Sequence, residues 1–503
     1  MSLSTMDGKN VCRWDQESTD ESPWNADTLR TRFVQSLSEM YKAEVPLYGQ
    51  LVEIVRKVDN SILEAQGKSI DDLPTRHQLE RHGAIRLGTD DEMRMVSRLF
   101  AILGMYPVGY YDLETAGFPL HGTAFRPTSE DSLRNNPFRV FTTLLRPGLI
   151  KSPSVTETAM EILSKRTLFS PRLCELVQLA EVKANRDLTA ADADELINES
   201  LKIFKWHSRS TVDRDTYVRL KREHPMVADI VCFPSAHVNH LTPRTLAIDA
   251  VQAEMASQGL PAKDSIEGPP AGRKCEILLR QTSFKALEER VEFIDDEGAG
   301  THTARFGEVE QRGAAVTRKG RDLYDRLLAS AIALHGGQDK SLPNHSLDEV
   351  LVETFREYPD DWTTLRAQGL VYFRYMPCDL SDADRQRKLD AILGPGEAHR
   401  ASADIEALLQ AGLVECVPMT YEDFLPFSAA GIFTSNFGGT GGGGSVERRP
   451  QEAEQSDSRA ELEAVLGCEI PSEVAWYGVL QSRSVEECEK TLGLGKIVLP
   501  YSQ

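Results

Sequence analysis

The nine residues RHGAIRLGT, 81–89, decide how this chain is read. HGAIRL has the length and apolar content of a short strand. Thr89 then offers a helix N-cap, with Asp90, Asp91 and Glu92 in the first turn, where the helix dipole favours carboxylates. DDEMRMVSRLFAILG continues at helical spacing and stops at Gly104. PVGYYDL, LHGTAFRP and NPFRVFTTLL follow as three strand-like runs, so the order is β-α-β-β-β. On the first strand His82 and Arg86 are four residues apart, and strand alternation places them on one face.

The same grammar returns downstream. VNHLTPRT repeats the H-x-x-x-R spacing with His240 and Arg244, and Pro243 suits a strand end. A helix, LAIDAVQAEMASQG, ends at Gly259, and CEILLRQTSFKA, ERVEFIDDEG and TARFGEVEQRG are strand-like. The two first strands begin 158 residues apart (240 − 82), and an internal repeat of this kind outweighs any single motif inside it. The expectation is an α+β fold of paired βαβββ modules, with a large α-helical insertion and helical N- and C-terminal additions.

The remaining segments fit around the repeat. Residues 1–26 read as a disordered tail. Residues 27–150 hold one or two helices, N-capped by Asp27 and interrupted at Pro46, and then the first module. Residues 151–225 form a helical insertion, in which Ser154 and Glu157 have capping-box spacing and LTAADADELINESLKIFKW is amphipathic. The second module occupies 226–335, and a C-terminal α/β region occupies 336–503. Within that region GGTGGGGS opens a flexible insert at 438–459, which lacks the Lys-Ser/Thr of a phosphate-binding loop.

Composition narrows the function classes. The chain of 503 residues is 41% hydrophobic and 27% charged, enough for a sizeable core. A formal net charge of −20 disfavours nucleic acid and anionic membrane surfaces as partners. The longest apolar run, Leu99 to Tyr111, is too short to span a bilayer. The N-terminal stretch lacks an apolar signal core and carries Asp15, Glu17, Asp20 and Glu21, so neither a secretory signal nor a transit peptide is read there. A cytoplasmic location is expected, consistent with eight cysteines and no C-x-x-C pair.

The repeat also frames a candidate metal site. A mononuclear iron(II) oxygenase holds its metal with two imidazoles and one carboxylate, leaving adjacent positions for substrate and dioxygen. His82 opens the first strand of one module and His240 that of the other, while Glu308 lies on a strand in FGEVEQRG. His237, three residues before His240, falls on the opposite strand face, and the H-x-x-x-R echo favours His240. Glu310 shares a face with Glu308, so alternation leaves both open. The last strand of the first module, PFRVFTTLLRP, has no carboxylate where the second has Glu308. Three protein ligands favour an oxygen-activating site over a four-ligand isomerase site.

The paired modules resemble the vicinal oxygen chelate superfamily, whose cup-shaped sheet surrounds a metal. EVEQR, from Glu308 to Arg312, resembles the strand that supplies the glutamate ligand in 4-hydroxyphenylpyruvate dioxygenase, and this favours Glu308 over Glu310. RHGAIRLGT, HVNHLTPRT, LLRQTSFKALEERVEF, FGEVEQRG and YEDFLPFSAAGIF together resemble the 2-oxoadipate dioxygenase/decarboxylase family from about residue 28 onward. That resemblance implies an Fe(II) enzyme of lysine catabolism that converts 2-oxoadipate and O2 to D-2-hydroxyglutarate and CO2. It implies His82, His240 and Glu308 as metal ligands, Arg86 as the catalytic, substrate-binding arginine, and Phe427 and Ser428 as lining of the substrate pocket. A 2-oxo acid is its own reductant in such chemistry, and an arginine's planar fork matches the distal carboxylate of a 2-oxo dicarboxylic acid. Arg126, Arg244 and Arg280 compete with Arg86 for that role, and Gln281, Thr282 and Ser283 are further polar candidates. The alternatives are another metal-dependent enzyme on this fold, an isomerase or hydrolase, or a non-enzymatic ligand-binding module.

Overall fold

The computed structural model describes residues 4–6, 9–11, 24–183, 188–295, 298–336, 346–394, 402–425 and 452–500. The chain divides into two compact units. The larger comprises Met1–Glu267, Gln281–Gln311 and Phe424–Pro471; the smaller comprises Gly268–Arg280, Arg312–Asp423 and Ser472–Gln503.

After a short antiparallel ribbon of Ser4–Met6 against Lys9–Val11, the larger unit continues with α1 (Ala26–Glu44) and α2 (Pro46–Ala65), divided at Val45 where proline opens the second helix. Asn25 caps α1, not Asp27: its extended backbone lets Oδ1 accept from the Thr28 N–H at 2.9 Å. Asp27 lies inside the first turn and pairs with Arg30 at 2.8 Å.

The first module is β1 (His82–Leu87), α3 (Asp90–Ile102), β2 (Tyr106–Asp112), β3 (Leu120–Arg126) and β4 (Arg139–Leu145). Thr89 caps α3 as the sequence requires, and Glu92 closes the box by accepting the Thr89 N–H at 3.3 Å. Val96, Leu99 and Phe100 of α3 are fully buried, each contributing about 1.5–3 kcal/mol of apolar burial. The insertion folds as α4 (Pro153–Lys165), α5 (Pro171–Lys183), α6 (Ala190–Phe204), α7 (Arg214–Glu223) and α8 (Pro225–Val231). The expected Ser154–Glu157 box does not start α4, because Pro153, with its preset φ, begins the helix two residues earlier behind Ser152.

The second module is β5 (His240–Thr242), α9 (Ile248–Ser257), β6 (Leu279–Ser283), β7 (Glu288–Glu292), β8 (Ala299–Thr303) and β9 (Phe306–Arg312). The main sheet has the order β2-β3-β4-β1-β5-β9-β6 and curls into a cup. The fold is therefore α+β, with the two modules contributing to one curled sheet. Each module places its first strand parallel to its last, β1 with β4 and β5 with β9. The modules meet where β1 and β5 run antiparallel, with His82 opposite Thr242 and Ala84 opposite His240.

One departure from the expected repeat matters for the site. β7 and β8 do not join the sheet but form a separate antiparallel ribbon, with Ala299 opposite Glu292. Val291 is the single fully buried residue of EERVE, so this strand cannot fill a two-sided layer. A second departure is α10 (Glu452–Leu466): residues 452–459, expected within a flexible insert, are helical. Residues 438–451 of that insert lie outside the described residues.

The two faces of β1 separate core from site. Ile85 and Leu87 pack into the apolar core with α1, α2 and α3. Ala84, on the other face, belongs to a second cluster with Tyr111, Phe141, Phe424 and residues of α7 and α8. His82 and Arg86 share the Ala84 face by alternation. The smaller unit pairs the strands Phe373–Pro377 and Val414–Pro418 antiparallel beside the helix Glu473–Leu492. No helix among the described residues is long and apolar enough to cross a membrane.

Candidate metal centre

The seam between β1 and β5 delivers both histidines. Glycine at 83 allows the close approach: a Cβ there would meet Leu241 Cδ2 at 2.9 Å and the His240 carbonyl oxygen at 3.3 Å. β9, parallel to β5, then carries Glu308 onto the same face. The result is one cluster in which ligand atoms of His82, His240 and Glu308 all lie within 4.8 Å of one another, every residue buried. Nε2 of His82 is 2.8 Å from Oε1 of Glu308.

The donor set suits a metal in a specific way. Neither ring nitrogen of His240 has a hydrogen-bond partner among the described residues, although the residue is only 4% exposed. A buried, unsatisfied imidazole is costly, and an ion at the cluster would satisfy it. Burial, followed by the neighbouring His82 and Arg86, holds the His240 pKa well below its ordinary value. The neutral ring that results is the form that binds metal.

Two further groups lie against the cluster. Thr242 donates from Oγ1 to Glu308 Oε1 at 3.2 Å and lies 3.0 Å from His82 Nε2. Oε2 of Glu310 lies 3.0 Å from His82 Nδ1, on the side of the ring away from Glu308. The two carboxylates thus face the two nitrogens of one ring. Glu308 and Glu310, left open by alternation alone, thus separate into a cluster member and its neighbour through the two sides of one imidazole. His237 points elsewhere, its Nε2 3.1 Å from Oδ1 of Asp229.

Strand registers explain the three-donor count. Ala84 pairs with Phe141, and His240 with Phe306 two residues before Glu308. His82 pairs with Arg139 as His240 pairs with Phe306, so Phe141 is the counterpart of Glu308 in the first module. Its ring packs on Tyr111 at 5.1 Å and on Phe424 at 5.2 Å, and Phe424 meets His82 edge-on at 4.7 Å. An aromatic wall stands where a fourth ligand would be.

The arginines part company. Arg86 is 4% exposed on the face of His82, with Nη1 2.5 Å from Oδ2 of Asp229. Arg244, its sequence echo, instead reaches the His77 ring, with Nη1 2.6 Å from Nε2. Arg126 donates to the Pro127 carbonyl at 3.0 Å, and Arg280 is buried on β6. Of the neighbouring polar residues, Gln281 donates to Glu267 Oε2 at 3.2 Å, while the hydroxyls of Thr282 and Ser283 have no partner among the described residues. Thr143, paired in register with Arg86, is another buried hydroxyl without one. Sequence reasoning missed Thr143, Thr242 and Asp229; the signal for Thr242 was its position two residues beyond His240 on the same face. Phe427 and Ser428 lie outside the described residues.

Comparison with known proteins follows the same line. Residues 33–436 match the profile of a family described as 2-oxoadipate dioxygenase/decarboxylase. A protein of that name from Pseudomonas putida is 43% identical over 477 residues, covering 94% of this chain and 98% of its own. Another of that name from Escherichia coli is 46% identical over 469 residues, covering 92% of this chain and 98% of its own. Among solved structures, hydroxyglutarate synthase from Pseudomonas putida in complex with 2-oxoadipate superposes with a TM-score of 0.78 at 43% identity. That alignment covers 93% of this chain and 99% of the synthase.

Proposed function

Because the chain belongs to the 2-oxoadipate dioxygenase/decarboxylase family, we propose that it converts 2-oxoadipate and O2 to D-2-hydroxyglutarate and CO2 on an Fe(II) ion held by His82, His240 and Glu308. The observation that carries the metal assignment is the buried cluster itself, with its unsatisfied His240 ring. Two imidazoles and a carboxylate are the donor set of iron(II) oxygenases. An iron(II) ion held by His82, His240 and Glu308 would supply the redox chemistry that activates dioxygen beside a bound 2-oxo acid.

The reaction balances without a second reductant. The keto diacid and dioxygen together hold the same carbon, hydrogen and oxygen atoms as the hydroxy diacid and carbon dioxide. Cleavage of the bond between the carboxyl and keto carbons releases CO2 and the electrons that reduce dioxygen. One oxygen atom completes a carboxylate at the former keto carbon, and the other becomes the hydroxyl on the adjacent carbon.

The chain's own residues set the geometry for this sequence. Glu310 and Thr242 fix His82 and Glu308 from opposite sides. Arg86 binds the distal carboxylate and stops the substrate from turning. Its guanidinium pairs with Asp229 at Nη1, a contact that fixes the plane of the fork. Phe141, Tyr111 and Phe424 exclude water from the reacting carbons, which suppresses side reactions. Phe427 and Ser428 belong to the substrate contacts of this proposal on sequence grounds. A cytoplasmic setting and a place in lysine breakdown are part of the same proposal.

Anaerobic loading with Fe(II), followed by addition of 2-oxoadipate and air-saturated buffer, tests the reading. One O2 consumed per CO2 and D-2-hydroxyglutarate formed is expected. An iron-loaded protein that takes up no oxygen with 2-oxoadipate overturns it.

A further inference from the structure

Arg86 sits on a second buried cluster. Oδ2 of Asp229 meets Arg86 Nη1 at 2.5 Å, while Oδ1 lies 3.1 Å from His237 Nε2 and 2.8 Å from His302 Nε2. The far nitrogen of His302, Nδ1, is 2.9 Å from the Tyr217 hydroxyl. Asp229, His237 and His302 are each at most 3% exposed. Trp206 stacks on His302 at 5.8 Å and meets His237 edge-on at 4.7 Å, and Phe233 packs on both rings.

These groups come from separate parts of the chain. Asp229 is on α8 of the insertion, His237 precedes β5, and His302 is on the ribbon strand β8. The ribbon that leaves the second module therefore supplies a contact beneath the first module's arginine. Although this trio has the residue types of a metal site, the Asp229 carboxylate already faces one guanidinium and two imidazoles. A cation on Oδ1 would share the carboxylate with the Arg86 guanidinium on Oδ2, and the two positive charges would oppose each other, so the cluster is better matched to holding that side chain.

We infer that Asp229, fixed by His237 and His302, is a positioning residue that aims the Arg86 guanidinium at the distal carboxylate of the substrate and so sets the preference for a diacid. An arginine on a long flexible stem loses several rotamers when it binds; one already clamped by a buried carboxylate has lost them in advance. The clamp also fixes the plane of the fork, which a carboxylate ligand needs for paired hydrogen bonds. The inference rests on the proposed role of Arg86.

The test compares anaerobic calorimetric binding of 2-oxoadipate and 2-oxohexanoate, which has a methyl group in place of the distal carboxylate, to the iron-loaded protein. Asp229→Asn is expected to weaken 2-oxoadipate roughly 10- to 100-fold. Binding of 2-oxohexanoate and the iron content per chain are expected to stay at wild-type levels. Unchanged 2-oxoadipate affinity, equal weakening of both ligands, or loss of iron each overturns the inference. Arg86→Gln is the control for the underlying reading: if it leaves the preference for the diacid intact, the role of Arg86 is wrong whatever Asp229 does. If Arg86→Gln abolishes the preference and Asp229→Asn does not, only the inference fails. Should Asp229→Asn not fold, Asp229→Glu keeps the charge but shifts the clamp by one methylene; the same selective loss is expected, and wild-type preference overturns the inference.

Discussion

At the scale of single residues, the site works by giving similar side chains different neighbours. Glu308 and Glu310 are two positions apart on one strand, yet one lies 2.8 Å from His82 Nε2 and the other 3.0 Å from Nδ1. Glu308→Gln and Glu310→Gln should therefore behave differently. Glu310→Gln leaves the proposed donor set whole and is expected to lower iron affinity roughly 10- to 100-fold, the usual effect of losing a group that orients a ligand. Glu308→Gln and His240→Ala are expected to lose stoichiometric iron. Competition against a coloured chelator ranks the three, and equal affinities for the two glutamine variants would reverse the assignment. His82 and His240 were legible from their place in the repeat. Asp229 was not, because nothing local on a short helix reveals that a carboxylate will meet an arginine 143 residues away.

At the scale of elements, α10 docks on the sheet with a buried histidine among its polar contacts. His121 on β3 is 3% exposed, and its Nδ1 is 3.3 Å from the Ser458 carbonyl of α10. Burial first, and then the charge of Arg146, push its pKa down to about 4, partly opposed by that carbonyl. The folded protein thus keeps this ring neutral while the unfolded chain protonates it near pH 6.5. Stability is complete above the unfolded value, falls as the pH drops from about 6.5 to about 4, and levels off below. The shift corresponds to roughly 3 kcal/mol at most. His121→Asn, which cannot titrate, should remove this share of the pH dependence in denaturant unfolding at pH 7, 5.5 and 4. Identical slopes for the two proteins would refute the account. The sequence suggested flexibility for 452–459 because VERRPQEAEQSDSRAE is polar and follows a glycine run. The helix forms there all the same, because α10 docks against β2, β3 and α3, and tertiary packing overrides a weak local preference.

At the scale of the whole molecule, the proposed ligands come from both modules: His82 from the first, His240 and Glu308 from the second. An ion at this cluster would tie the β1–β5 seam together and favour the folded chain. Removing iron by dialysis against a chelator under anaerobic conditions is expected to lower the unfolding free energy by about 2.7 kcal/mol, relative to protein held at a hundredfold excess over the dissociation constant. Thermal unfolding with and without added Fe(II) measures this, and coincident curves would mean that no metal bridges the modules. The sequence by itself determined the repeat, the βα order of each module, the Thr89 cap and the two histidines that open matching strands. These follow from periodicity and capping, which are local, and from duplication, which is visible over any distance. Only the tertiary structure decided that Phe141 takes the counterpart position of Glu308, that the ribbon β7–β8 leaves the sheet, and that Asp229 clamps Arg86. Each of these depends on strand register or on contacts between distant segments. A register shift of one residue would exchange the two faces of a strand, and no local pattern of residues fixes it without the partner strand in place.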